Sequence, residues 1–127
     1  MSKLSTSEFS NIIESCWCAK TSFVPEEWNK SNPSRGQCVV TALVIQDYFG
    51  GELLKYRTVY NGKIEKHYCN RLPDGSIVDI TREQYPNDIE LEIDEIDLKG
   101  FSSLREKRLA DPDTKSRYEL LRSIIAT

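Results

Sequence analysis

The chain has 127 residues, 39% of them hydrophobic and 29% charged, with a net charge of −3 and an isoelectric point near 5.2. That length suits a single domain over residues 1–127 with one core. The acidic balance and the lack of a clustered basic face exclude an ordinary nucleic-acid binder, and no apolar run approaches the roughly 20 residues that a membrane helix needs.

The N-terminal stretch Met1 to Ser10 is polar and lacks the apolar core of a signal peptide. The expected location is the cytoplasm, with Cys16, Cys18, Cys38 and Cys69 as thiols rather than disulfides. Ser5-Thr6-Ser7-Glu8 reads as a capping box. Phe9, Ile12, Ile13, Cys16 and Trp17 follow at helical spacing and predict a helix from about Thr6 to Cys18. Lys20 to Arg35 is irregular, because Pro25 and Pro33 bias their preceding residues away from helix; Glu26 to Asn29 is expected as a short helical turn. Gln37 to Phe49 predicts a second helix, apolar nearly all round at its start and therefore buried there. Gly50-Gly51 ends it with a left-handed residue.

Three strands are expected next: Leu53 to Tyr60, Ile64 to Leu72 and Ser76 to Thr81. Asn61-Gly62 and Pro73-Asp74-Gly75 mark the hairpins of an antiparallel meander. Tyr85 to Gly100 alternates acidic and aliphatic residues and is read as a loop or edge segment with a solvated acidic face. Ser102 to Ala110 is helical, and Asp111-Pro112 restarts a last helix whose apolar stripe is Tyr118, Leu121, Ile124 and Ile125. Helices segregated from antiparallel strands give an α+β fold.

Cys38 opens the second helix. The positive end of the helix dipole and the free first-turn N–H groups favour a thiolate there and could hold an oxyanion. Gly36 removes a side chain from the approach, and Gln37 is a candidate side-chain donor. The single histidine, His67, is the one candidate base, with Asp79 to orient it. Their meeting depends on the hairpin. Pro-Asp-Gly favours a three-residue loop with Gly75 left-handed. Leu72 then opposes Ser76, His67 opposes Thr81, and Cys69 opposes Asp79. His67 and Asp79 share a face as diagonal neighbours about 7–8 Å apart in the backbone; a one-residue slip would separate them.

The stretches "NPSRGQCVVTALVIQDYFGGELL", "HYCNRLPDGSIVDITREQY" and "DPDTKSRYELL" resemble the YunG family of small bacterial proteins, over roughly Trp28 to Leu121. The resemblance implies a minimal papain-like fold: N-terminal helices, including the cysteine-bearing one, on a three-stranded antiparallel sheet, with C-terminal helices around it. It implies Cys38 as nucleophile, His67 as base, Asp79 as orienter and Gln37 on the oxyanion side. Cys69 departs from the family, where an aromatic residue is expected.

Each residue has a plainer reading. Cysteine is often simply buried, Asp79 could pair with Arg71 or Arg82, and Cys16 is expected to pack. Zinc is a competitor through Cys16, Cys18, His67 and Cys69, with Cys38 as a fifth candidate and His67 and Cys69 on one strand face, but residues two apart on a helix diverge and zinc pairs favour wider spacing. The expected function is a cysteine-dependent hydrolase or acyl transferase. It would act on an amide, isopeptide or thioester of a peptide, protein or small acyl substrate, with no cofactor or metal. The alternative is a non-catalytic binding module with the acidic Asn87–Asp97 segment as partner surface.

Overall fold

A computed structural model describes residues 5–126; Met1 to Leu4, within the polar N-terminal stretch, and Thr127 lie outside the described residues. Helix α1 (Thr6–Glu14) starts on the expected capping box: Ser5 accepts from the Glu8 N–H while Glu8 accepts from the Ser5 N–H. It ends four residues before the expected Cys18. Ser15 turns its hydroxyl onto the Ile12 carbonyl, and Cys18 instead caps a short 3-10 turn, Ala19–Thr21. The predicted turn at Glu26 lies at Pro25–Glu27.

Helix α2 (Cys38–Phe49) buries every residue from Cys38 to Ile45, as its all-round apolar composition requires. It ends at Gly50, whose φ is +77°. Strands β1 (Glu52–Tyr60) and β2 (Lys63–Arg71) pair along their whole length. The two-residue Asn61-Gly62 turn, with both φ values positive, joins them. Strand β3 is only Ile77–Val78, paired with β2 through Asn70↔Val78 and Arg71↔Ile77. Helices α3 (Leu104–Leu109) and α4 (Pro112–Ala126) follow.

Two expectations about the sheet need correction. The third strand does not run to Thr81, because the chain turns at Ile80 and Thr81 into a 3-10 turn, Arg82–Gln84. The sheet also has a fourth strand, β4 (Glu92–Ile93), drawn from the acidic segment, giving the antiparallel order β3-β2-β1-β4. The strand lies at the sheet edge with its acidic face exposed, as expected; Asp94 meets Lys55 and Lys66, and Glu92 meets Arg57. The fold is α+β.

The core lies between α2 and the helices and strands around it. Ile13, Val40, Leu43, Val44 and Leu121 are fully buried. Polar anchors hold the layers together: Trp17 donates to Thr41 at 2.9 Å, Asn70 donates to the Ala42 carbonyl at 2.9 Å, and Arg105 reaches the Leu43 carbonyl and Asp47. This packing sets the first turn of α2 against one edge of β2.

Candidate functional site

The Pro73-Asp74-Gly75 loop closes as its chemistry demands. The Leu72 N–H donates to Ser76 at 2.8 Å, and Gly75 takes a φ of +90°. Positions opposed across β2 and β3 therefore have the register expected of a three-residue loop. Leu72 and Asn70 make hydrogen-bonded pairs with β3, so the next such pair would be Tyr68 with Ile80. The chain leaves the ladder first. The Tyr68 N–H and the Lys66 carbonyl are thus left at an open strand edge, where the start of α2 docks. The Cys38 thiol donates to the Lys66 carbonyl at 3.9 Å, and the neighbouring Tyr68 N–H favours its ionised form.

His67, on β2, is fully buried. Its Nε2 lies 2.8 Å from both carboxylate oxygens of Asp79. Asp79 makes no ion pair with either neighbouring arginine, since Arg71 pairs with Glu52 and Arg82 donates to the carbonyls of Tyr85, Pro86, Asn87 and Ile89. The other ring nitrogen, Nδ1, accepts from the Gln84 side chain at 3.1 Å. The orientation of that amide is decided by its oxygen, which receives Arg35 Nη1 and the Gly36 N–H, each at 3.1 Å. An acceptor at Nδ1 means that the neutral ring carries its proton on Nε2, directed at Asp79.

Electrostatics follow from this row. Burial opposes ionisation of Cys38, but hydrogen bonding and charge from His67, helped by the Tyr68 N–H and the Gln84 amide, outweigh it and hold the thiol below its ordinary value. Burial likewise pulls His67 down, yet the hydrogen bonds to Asp79 and Cys38 leave it pushed up to about 9. The two shifts favour the same charge state, a thiolate and an imidazolium; reaching it turns Nδ1 from acceptor to donor, so the Gln84 amide gives up its bond to the ring in that state. Cys69 moves the other way. Burial, then the negative charge of Asp79, pushes its thiol up to about 12.

Gln37 does not join the row. It is fully buried; its oxygen accepts from Thr21 at 2.8 Å and its nitrogen donates to the Cys18 carbonyl at 2.9 Å. The amide that joins the row belongs to Gln84, on His67 Nδ1 at 3.1 Å, and no local pattern in the sequence singled it out. Gly36 has a structural use. A Cβ there would sit 2.2 Å from the Ser22 hydroxyl and 2.9 Å from the Phe23 nitrogen, so the close approach is by the chain's own segment. Behind Gly36, Arg35 is 3% exposed and grips Glu65 at 2.5 Å and Glu27 at 2.8 Å. Among the described residues, no group of three His, Cys, Asp or Glu side chains has metal-binding geometry. All four cysteines are free thiols.

Cys38 opens onto a cavity of about 460 Å³, walled also by Val39, Tyr68, Gln84, Arg108 and Arg117. That volume is in the range of small-molecule sites. Among the described residues, no helix is long and apolar enough to cross a membrane.

A family model described as YunG protein matches residues 5–127. The chain belongs to the YunG family. A relative from Bacillus subtilis (strain 168), "Uncharacterized protein YunG", is 34% identical over 111 residues, covering 87% of this chain and 83% of the relative. No solved structure matches significantly.

Proposed function

We propose that this YunG protein is a cysteine-dependent hydrolase or acyl transferase of papain-like type. The reading rests on one observation above the others: a buried imidazole is bound through Nε2 to a carboxylate, in the same row as a thiol whose ionisation it favours and which opens onto a cavity. The Cys38 thiolate attacks the carbonyl carbon of an amide, isopeptide or thioester. The S–C bond forms as the carbonyl π pair moves onto oxygen. Helix first-turn N–H groups lack intrahelical partners, so the Cys38 N–H and the Gln84 amide are the donors offered to that oxyanion. The tetrahedral species collapses, the C–N or C–S bond breaks, and the leaving group takes its proton from the His67 imidazolium. Water, giving its proton to His67, then cleaves the thioester on Cys38; in the transferase variant an amine does so. Asp79 keeps the ring in the required tautomer.

The test needs no substrate. Native protein is alkylated with iodoacetamide at pH 7.5 and the adducts are mapped by mass. Selective modification of Cys38, slowed roughly 100-fold by His67→Ala, is the expected result. A Cys38 no faster than a free thiol, in folded protein, returns the chain to the binding-module reading.

A further inference from the structure

Three arginines line the cavity beside Cys38. Two are committed. Arg35 is held by Glu27, Glu65 and Gln84. Arg117 donates to Asp113 at 2.9 Å and to the Thr21 carbonyl and Thr114 hydroxyl at 3.4 Å. The third, Arg108 at the end of α3, has a long 3.8 Å ion pair with Asp111 and interacts with the Tyr68 side chain. Its guanidinium carbon lies 5.9 Å from the centre of the Tyr68 ring. Among the described residues, its Nε is the one buried side-chain nitrogen or oxygen without a hydrogen-bond partner. That nitrogen is closed off by the protein itself, so a compound in the cavity is offered the exposed part of the guanidinium, the side chain being 28% exposed.

We propose that Arg108 is the anchor for a carboxylate in this cavity, so that the compound presented to Cys38 is a small acyl compound or a peptide end bearing a free carboxylate near its reacting carbonyl. The second half rests on Cys38 being the nucleophile; the carboxylate site itself does not. A guanidinium matches a carboxylate with two parallel hydrogen bonds, and Arg108 is the least firmly held of the three arginines, its ion pair being 3.8 Å long. Glu27 and Glu65 also line the cavity but are taken up by Arg35; Glu26 is outweighed there by Lys63, Lys66 and the arginines. Val39 and Tyr68 supply apolar wall. Phe23 and Ile64, 66% and 73% exposed, add apolar contact for the rest of the compound. Tyr68 links the two ends of the site, its ring beneath Arg108 and its N–H beside the Cys38 sulfur.

The probes are N-acetyl-dialanine as its free acid and the same dipeptide as its carboxamide. Each is titrated into ¹⁵N-labelled Cys38→Ala protein, with the Arg108 Nε–H resonance as reporter. The acid is expected to bind at least about tenfold more tightly than the amide and to shift that resonance. Arg108→Gln abolishes the preference; Arg108→Lys, which keeps the charge without the fork, retains part of it and serves if the glutamine variant does not fold. Equal binding of acid and amide, or binding of neither at millimolar concentration, overturns the inference. Iodoacetamide labelling of the wild type separates the two readings. Acid-selective binding with an inert Cys38 removes the enzyme and keeps the carboxylate site; a reactive Cys38 without acid preference does the reverse.

Discussion

Replacing Asp79 by Asn removes one negative charge from the row and leaves its shape. His67 is fully buried, and burial alone favours the neutral ring. Its position at about 9 rather than 6.5 arises because Asp79, then Cys38, overcome that burial. The difference corresponds to roughly 3 kcal/mol in favour of the imidazolium. Without the Asp79 charge, the burial remains and its largest opponent is gone, so His67 is expected to titrate at or below 6.5. At pH 7.5 the charged fraction then falls from roughly 97% to about 10% or less. The chain has one histidine, so a proton NMR titration of its ring signals reads the change without assignment. The iodoacetamide rate at Cys38 should drop about tenfold with it, since the thiolate loses its counter-charge. A wild-type midpoint near 6.5, or the same midpoint in both proteins, would refute the electrostatic reasoning.

The same pair makes a signed contribution to stability. The folded-state value of His67 is raised, so the stabilisation is fully present below about 6.5 and lost as pH rises through about 9; urea titrations should show wild type and Asp79→Asn converging above that pH and furthest apart near pH 6. Gly36→Ala should cost about 2–4 kcal/mol in urea unfolding, because φ is +76° and the new Cβ would meet the Ser22 hydroxyl at 2.2 Å; an unchanged midpoint would count against the fold described. Arg35→Ala should cost about 3–5 kcal/mol by leaving Glu65 without its 2.5 Å partner, with part of the loss recovered in the Arg35→Ala/Glu65→Ala double variant. Cys69, held at about 12 and 3% exposed, should resist iodoacetamide in native protein at pH 7.5 and react only after denaturation, as peptide mapping would show.

The elements governed by short stretches were legible in the residues. The Ser5 to Glu8 capping box, the Asn61-Gly62 turn and the Pro-Asp-Gly loop each depend on contacts a few residues apart. The register of β2 against β3 followed from the loop alone, and with it the facing of His67 and Asp79. The length of α1 was misread because its apolar spacing continues past Glu14 while local hydroxyl and thiol hydrogen bonds to the Ile12 carbonyl end the helix. The acidic segment is the exposed edge its alternation suggested, but its pairing with β1 and the placing of Asp94 between Lys55 and Lys66 have no local signal.

Local chemistry, then, determined where the chain turns, which faces alternate and which thiol begins a helix, since such preferences act over one to five residues. Tertiary structure alone decided that β3 breaks off after Val78, leaving the Tyr68 N–H free for Cys38. It alone decided that Gln84 rather than Gln37 joins His67, its oxygen held by Gly36 across 48 residues. It also left Arg108 as the least firmly held of the cavity arginines. Those outcomes depend on which buried donors and acceptors find partners after packing, and side chains distant in the chain compete for the same few groups only once the core has formed.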